Sequence, residues 1–291
     1  MSDLNTREPA PADPLDPLAP LTPGAEAPKL MPPVSPKNDR RRLRAVLRWT
    51  VAVLVLGSLG AATAFAVAAQ ERGDLPGLAT RDDGRWAYPE IKRPVLPAGA
   101  SAFADENNVA EAHHADLRAL VLPAPKGARP DKALAGRDGW LSTATYLRAY
   151  PKADRRELGE QLVEDGLRHI AARGWTTPDG THTRIYLLQF NTGTLARSFY
   201  DEALGGALTP RTPVSGAPDS ELIDKWFPSG EGVEGTQLTA YDETEPRGAA
   251  HVRQGYINAG DTLAVIVQSR KGTAPAVPFR QTVVLQAQLL G

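Results

Sequence analysis

The stretch Trp49–Ala69, WTVAVLVLGSLGAATAFAVAA, contains 21 residues and no charged side chain. An α-helix rises about 1.5 Å per residue, so a helix of this length spans roughly 31 Å, which matches the hydrocarbon thickness of a bilayer. The sequence therefore predicts a transmembrane helix over residues 49–69 with the lipid bilayer as its partner. This helix would separate a short N-terminal tail from a larger C-terminal domain.

The charges around the apolar stretch predict its orientation. The preceding basic block comprises Lys37, Arg40, Arg41, Arg42, Arg44 and Arg48. Glu71, Arg72 and Asp74 follow the stretch, so the basic excess ends there. Because Lys and Arg beside a transmembrane helix stay on the cytoplasmic side, we expect a single-pass plasma-membrane protein. Its N-terminus would be cytoplasmic and its C-terminal domain extracytoplasmic.

A cleaved signal sequence, giving a secreted protein, is the alternative. Ala64–Ala66 and Ala66–Ala68 both offer A-x-A cleavage sites, and residues 40–44 resemble a twin-arginine signal. The apolar run exceeds the roughly 7–15 residues of a signal sequence, and 48 residues precede it. The uncleaved anchor is favoured for these reasons.

The segments around the predicted helix differ in composition. Residues 1–36 contain ten prolines and no apolar periodicity, which predicts a disordered, Pro-rich cytoplasmic tail. Within this tail, residues 13–23 form a three-residue repeat. A polyproline II helix has three residues per turn, so it would place the leucines of the repeat on one edge, where a cytoplasmic partner could bind them. The alternative is a solvated spacer. Residues 37–48 form a basic juxtamembrane segment. Residues 70–100 are predicted to be an extended connection that lies over the domain surface or pairs at a sheet edge.

Composition excludes several classes of chemistry. The 291 residues carry a formal net charge of −1, which gives no indication of nucleic-acid binding. There are no cysteines, so disulfides, thiolate metal sites and cysteine nucleophiles are excluded. Arginine outnumbers lysine 25 to 8, and Ala, Gly and Pro are abundant. In composition and layout the chain resembles uncharacterised single-pass membrane proteins of actinobacteria, and this resemblance implies an extracytoplasmic α+β domain but no site residues.

The domain, predicted over residues 101–291, shows both helical and strand periodicities. Apolar residues at 3.6-residue spacing predict a helix over residues 154–173, with Asp154 as N-cap and Gly174 after its end. Ser220 is predicted to cap a further short helix. Other helices are expected over 194–204 and 278–290, and strands over 117–122, 184–190, 236–242, 250–257 and 262–268. Turns are predicted at 177–180 and 258–261. This order indicates an α+β fold with a mostly antiparallel sheet and packed helices.

Two motifs suggest chemistry without meeting its requirements. Residues 230–235 match G-x-G-x-x-G, but a predicted strand follows where a dinucleotide site needs a helix. Residues 111–116, Glu-Ala-His-His-Ala-Asp, are the densest group of potential metal ligands, with His113 and Asp116 three residues apart. Adjacent histidines point in different directions, so a surface cluster is the favoured interpretation and a metal site the alternative.

Carboxylates and aromatic residues leave further alternatives open. Neither G-x-S-x-G nor S-x-x-K is present. An acid–base pair for glycan cleavage would have to come from carboxylates such as Asp82/Asp83, Asp105/Glu106 and Glu243/Glu245. A sugar- or partner-binding surface would use the loop aromatics Trp86, Tyr88, Trp140, Trp226 and Phe227. Loop aromatics more commonly pack over the core, which is the alternative.

These observations favour a domain that binds over one that catalyses. We predict a single-pass membrane protein that senses or scaffolds, with a protein, envelope glycan or small molecule as partner. No catalytic, cofactor-binding or metal-binding residue is assigned, and no cofactor is expected. The alternative is an anchored envelope hydrolase that uses unrecognised carboxylates or the cluster at 111–116.

Overall fold

The computed structural model describes residues 39–68, 83–223, 232–246 and 248–291. Within the first of these ranges, side chains are described for residues 40–58 and 60. Contacts divide the chain after Ala79 into two compact units, which are described separately.

The described residues of the first unit form one helix, α1, which spans Asp39–Ala68. It covers nearly all of the apolar stretch and extends upstream through the arginines from Arg40 to Arg48, because Arg, Leu and Ala are good helix formers. In the part of the chain that the structure describes, no helix is both long and apolar enough to cross a membrane. The transmembrane helix predicted over residues 49–69 is therefore not confirmed, and the tail of residues 1–36 lies outside the described residues.

The second unit is built on a seven-stranded sheet. Its strands are β1 (Arg129–Pro130), β2 (His169–Thr176), β3 (His182–Gln189), β4 (Ser220–Leu222), β5 (Thr236–Glu243), β6 (His251–Ala259) and β7 (Thr262–Arg270). They are ordered β1-β2-β3-β7-β6-β5-β4, and every neighbouring pair is antiparallel. The prediction of an α+β fold with an antiparallel sheet is confirmed. The strands predicted over 184–190, 236–242, 250–257 and 262–268 are all present.

Among the described residues of this unit, four α-helices accompany the sheet. They are α2 (Thr143–Tyr146), α3 (Arg155–Glu164), α4 (Gly193–Phe199) and α5 (Ala276–Leu290). A π-helix, Tyr200–Leu204, continues α4. The helices predicted over 194–204 and 278–290 are confirmed. The first of them is α-helical up to Phe199 and π-helical from Tyr200.

One face of the sheet, here called the helical face, packs against α2, α3 and α4. The cluster on this face includes Leu158 and Leu162 of α3 and Phe199 of α4. It also contains buried tyrosines at positions 146, 150, 186, 200, 241 and 256. The hydroxyls of Tyr146 and Tyr150 lie 2.9 Å apart, so their polar ends are paired in the core.

The other face, here called the α5 face, packs against α5 and residues 103–124. Phe279 and Val283 of α5 are fully buried over it. The helix approaches β6 closely at Gly255, where a Cβ would lie 3.0 Å from Val283 Cγ2. Because both faces are covered, β6 and most of β7 are buried, including the polar residues of β6.

The helix predicted over residues 154–173 is only partly correct. Helix α3 ends at Glu164, and Gly166 takes a left-handed conformation with φ of 72°. The apolar residues beyond it belong to β2, where Ile170 is buried on the helical face. Asp154 makes no side-chain cap bond, and Gly174 lies within β2, where a Cβ would lie 2.7 Å from Leu134 Cδ1.

Two further element predictions are wrong. Residues 117–122 form turns in which Leu117, Leu120, Val121 and Leu122 are buried, and the side-chain amide of Gln286 on α5 takes the place of a strand neighbour. It accepts a hydrogen bond from Leu122 N and donates one to Leu120 O, each at 2.9 Å. The helix expected after Ser220 is instead strand β4, paired with β5; the apolar residues Trp226 and Phe227 lie outside the described residues.

The segment before residue 100 lies on α5. Gln281 accepts a hydrogen bond from Trp86 N at 2.8 Å and donates one to Trp86 O at 2.9 Å. Tyr88 and Thr282 share a hydroxyl hydrogen bond of 2.9 Å, and Arg93 Nε donates to Gln288 O at 3.0 Å. From Asp83 onward the connection therefore lies over the domain surface, one of its two predicted placements.

Candidate functional site

The histidine of the 111–116 cluster that points inward is His113. Its Nδ1 lies 2.8 Å from Asp261 Oδ1 and its Nε2 lies 3.0 Å from the carbonyl oxygen of Leu290. The ring also stacks on Phe103, with centroids 4.6 Å apart. Since both ring nitrogens are engaged with protein groups, His113 has no nitrogen left for a metal ion.

The other members of the cluster point elsewhere. Glu111 pairs with Arg197 at 3.2 Å, and Asp116 pairs with Arg118 at 2.7 Å. His114 is exposed. Among the described residues no three His, Asp or Glu side chains are grouped as metal ligands. The fold thus disperses the cluster instead of bringing its side chains together.

The remaining histidines each have a neighbour that accounts for their position. His182 Nε2 lies 3.2 Å from Asp131 Oδ2, and burial, followed by the charge of Arg184, lowers the pKa of His182. His251 Nδ1 accepts a hydrogen bond from Ala274 N at 3.0 Å. His169 packs against Trp140, with ring centroids 4.6 Å apart. These contacts join loops to the sheet.

The carboxylates considered for an acid–base couple lie in different surroundings. Glu243 is buried and its carboxylate accepts a hydrogen bond from Val252 N at 3.0 Å, whereas Glu245 is exposed. Asp105 accepts hydrogen bonds from the backbone and side chain of Asn107. Asp82 lies outside the described residues, as do Gly230 and Glu231 of the G-x-G-x-x-G motif. Strand β5, not a helix, follows that motif.

A groove of about 560 Å³ lies at the β2 end of the sheet, between β2 and the loops before it. We call it the edge groove. Its lining is mainly apolar and its side chains are short. It is lined by Arg118, Val121, Pro123, Ala124, Pro130, Asp131, Lys132, Leu134, Ala135, Gly139 and residues 171–174.

Arg173 of β2 is the distinctive charge of the edge groove. Its Nη1 donates a hydrogen bond to Val121 O at 2.5 Å. The side chain is half-buried, and burial lowers the pKa of its guanidinium. Among the described residues no carboxylate lies within ion-pairing distance of it. A guanidinium stays protonated in proteins, so the groove holds a positive charge that is partly withdrawn from water.

The other charged residues of the groove are arranged around it. Arg118 is neutralised by Asp116 and lies over the ring of Trp140, 4.9 Å from its centroid. Asp131 faces His182 and also accepts a hydrogen bond from Ala133 N at 3.0 Å, which caps the 3₁₀-helix Lys132–Leu134. Lys132 is exposed. With Arg118 paired to Asp116, the lining leaves the cations Arg173 and Lys132 against one carboxylate, Asp131, which favours a negatively charged ligand.

The sequence did not indicate this site. Arg173 falls in the stretch predicted as the end of a helix, where it would be an ordinary solvent-exposed arginine. Only its position in β2, beneath the turns that contain Val121, withdraws it from water. Of the loop aromatics, Trp140 contacts Arg118, which lines the groove, whereas Tyr88 packs against the core of the α5 face.

A second groove, of about 760 Å³, runs along the outer side of α5. Asp83, Gly232 and Val233 are among its lining residues. These residues adjoin residues 69–82 and 224–231, which lie outside the described part of the chain. We therefore assign no function to this groove and take the edge groove as the candidate site.

Comparisons with known proteins show a similarity to a solved structure. No protein-family model and no curated protein sequence matches the chain. Among solved structures, the chain is similar to the extracellular domain of PknH from Mycobacterium tuberculosis, at 10% identity and a TM-score of 0.28. The similarity covers 45% of this chain and 68% of that one.

Proposed function

We propose that the chain is a membrane-anchored binding protein whose domain lies outside the cytoplasm and senses or scaffolds through the edge groove. Residues 49–69 serve as the anchor and residues 83–291 contain the domain. The proposal rests mainly on one observation, the half-buried guanidinium of Arg173 in an apolar groove without a carboxylate partner.

This observation supports binding for an energetic reason. Withdrawing a charge from water costs free energy that a fold regains only through a partner of opposite charge. The carbonyl of Val121 is a neutral acceptor and compensates only part of that cost. Apolar grooves of roughly 300–1,000 Å³ with a few oriented polar groups are the usual sites for small ligands. The edge groove, at about 560 Å³, falls in this range.

The extracytoplasmic placement is supported by the sequence. The 21-residue stretch without charges is long enough to span a bilayer, and the basic block lies on its N-terminal side. Protease added to intact, wall-stripped cells is expected to digest or release the C-terminal domain. Complete protection of the domain, with digestion after the membrane is permeabilised, would contradict this orientation.

A groove-filling variant tests the proposed site. Ala135 is an exposed residue that lines the groove, so Ala135→Phe fills the groove without altering the core. Ala133→Phe is the matched control, because Ala133 is exposed on the same turn but does not line the groove. In the native host, Ala135→Phe is expected to reproduce the phenotype of deleting the chain at an unchanged protein level. Full complementation by Ala135→Phe would exclude the groove as the functional site.

A further inference from the structure

We propose that the ligand of the edge groove is a small amphipathic carboxylate, whose head group pairs with Arg173 and whose short apolar body covers the alanine and proline side chains. This inference rests on the proposed function, because it names the ligand class of the same site. A free fatty carboxylate and the C-terminus of a short peptide share this chemistry.

The hydrogen bonds of Arg173 favour an acidic head group. A guanidinium has five N–H donors in a planar fork that matches the two oxygens of a carboxylate. Nη1 donates to Val121 O, and no described residue accepts a hydrogen bond from Nε or Nη2. The contact with Val121 also fixes the orientation of the guanidinium. The Nε and Nη2 donors therefore remain for a bidentate hydrogen bond to a carboxylate.

The rest of the groove argues against a strongly polar ligand. Val121, Leu134 and the two prolines have no side-chain donor or acceptor. The Asp131 carboxylate is already engaged by Ala133 N and His182, and its charge would repel a second acidic group. A ligand with one acidic head and an apolar body therefore fits better than a sugar or a dicarboxylate. Exposed Lys132 adds attraction for an anion at the entrance.

Calorimetric titration of the purified full-length chain in nanodiscs tests this ligand class. The probes are hexanoate for the fatty source and N-acetyl-Ala-Ala for the peptide source. The uncharged controls are hexanamide and N-acetyl-Ala-Ala-amide, and empty nanodiscs are titrated in parallel. At least one acid is expected to bind, and its amide to bind at least tenfold more weakly. The acid that binds more tightly identifies the source.

Two variants then assign the binding to the groove. Arg173→Gln keeps a donor for Val121 O and removes the charge, so we expect at least a tenfold loss of affinity for the acid. Arg156→Gln is its matched control, because Arg156 is an exposed arginine of α3 that pairs with Glu160 away from the groove. Ala135→Phe should also abolish binding, whatever the stability of the Arg173 variant.

The outcomes separate this inference from the proposed function. Three results would overturn the carboxylate assignment. They are equal binding of acid and amide, unchanged affinity in a folded Arg173→Gln protein, and no binding of either acid up to about 10 mM. If Ala135→Phe still fails to complement the deletion in cells, the groove remains the functional site and only the ligand class is wrong. If Ala135→Phe complements, the proposed function itself fails.

Discussion

His113 joins three parts of the domain through one buried imidazole. It lies between Asp261, in the turn between β6 and β7, and the carbonyl of Leu290 at the end of α5. The side chains of His113 and Asp261 are 6% and 0% exposed. Asp261 also accepts hydrogen bonds from Gln189 and Thr262 at 3.0 and 2.9 Å. The pair is therefore part of a buried network in which each member has several partners.

Removing His113 should destabilise the domain. In His113→Ala, Asp261 loses a partner in a buried site, so the free energy of unfolding is expected to fall by about 2–3 kcal/mol. His114→Ala, at the adjacent exposed position, is expected to change it by less than about 0.5 kcal/mol. Urea unfolding followed by tryptophan fluorescence measures both. Equal losses in the two variants would contradict the role assigned to the buried ring.

His182 predicts a pH dependence. Burial, followed by the charge of Arg184, lowers its pKa below 6.5, although Asp131 acts in the opposite direction. The unfolded state therefore binds more protons than the folded state just below pH 6.5, so stability falls as the pH decreases from about 7 to 5. His182→Gln should reduce this decrease, and His114→Gln should leave it unchanged. The free energy of unfolding at the two pH values is the measurement.

Lowered carboxyl pKa values do not obscure this comparison. Asp105, Asp116 and Asp179 have pKa values below the ordinary 3.8. Their contribution to stability is present above about pH 4 and is lost only as the pH falls further. A slope between pH 5 and 7 that is the same in wild type and His182→Gln would show that His182 is not its source.

At the scale of the elements, local patterns predicted the later strands well and the α3–β2 boundary poorly. Residues 263–267 are apolar throughout and the turn before them is polar, so their assignment to a buried strand needed no tertiary information. Residues 167–173 also satisfy helical spacing. The left-handed Gly166 ends α3, and pairing with β3 places the following residues in a strand. Tertiary pairing thus overrides a local periodicity that fits either structure.

Gln281 should hold the segment of residues 83–97 on α5. Gln281→Ala removes both hydrogen bonds to Trp86, so the Trp86 amide is expected to lose its protection from hydrogen exchange. Cleavage by added protease near this segment should become faster. Gln288→Ala is the control, because the Gln288 side chain is exposed and its backbone carbonyl still accepts from Arg93. Unchanged exchange at Trp86 would show that other contacts hold the segment.

The close contact between α5 and β6 leads to a prediction about packing. In Gly255→Ala the new Cβ would lie 3.0 Å from Val283 Cγ2, so the helix must shift. We expect a loss of about 1–2 kcal/mol in the free energy of unfolding. In a Gly255→Ala/Val283→Ala double variant, the loss should be smaller than the sum of the two single losses. Additive losses would show that the two positions do not compete for the same space.

For the whole molecule, composition and periodicity predicted the α+β class, but not the order of the strands. β3 and β7 are neighbours at the centre of the sheet although some 70 residues separate them in the chain. The pairing of distant strands depends on how the faces of the sheet and the helices pack together, and no local sequence pattern specifies that packing. The edge groove was missed for the same reason, because Arg173 and Val121 are far apart in sequence.

Helix α5 is expected to be required for cooperative unfolding of the domain. Deleting residues 276–291 should abolish cooperative unfolding, because it uncovers the α5 face, including Ile257 and Ile266. A cooperative transition after this deletion would show that α5 is dispensable.

The attachment of residues 83–97 to α5 has a mechanical consequence. A load applied at Asp83 reaches the two Trp86–Gln281 bonds first, then the backbone bond from Lys126 N to Ala87 O, then Tyr88–Thr282 and then Arg93–Gln288, so only a few bonds carry the load at a time. The sheet, whose ladder bonds share a load, resists much larger forces. Stretching the protein from its N-terminal side should therefore lengthen this segment by a short, low-force step while the domain that carries the edge groove stays folded.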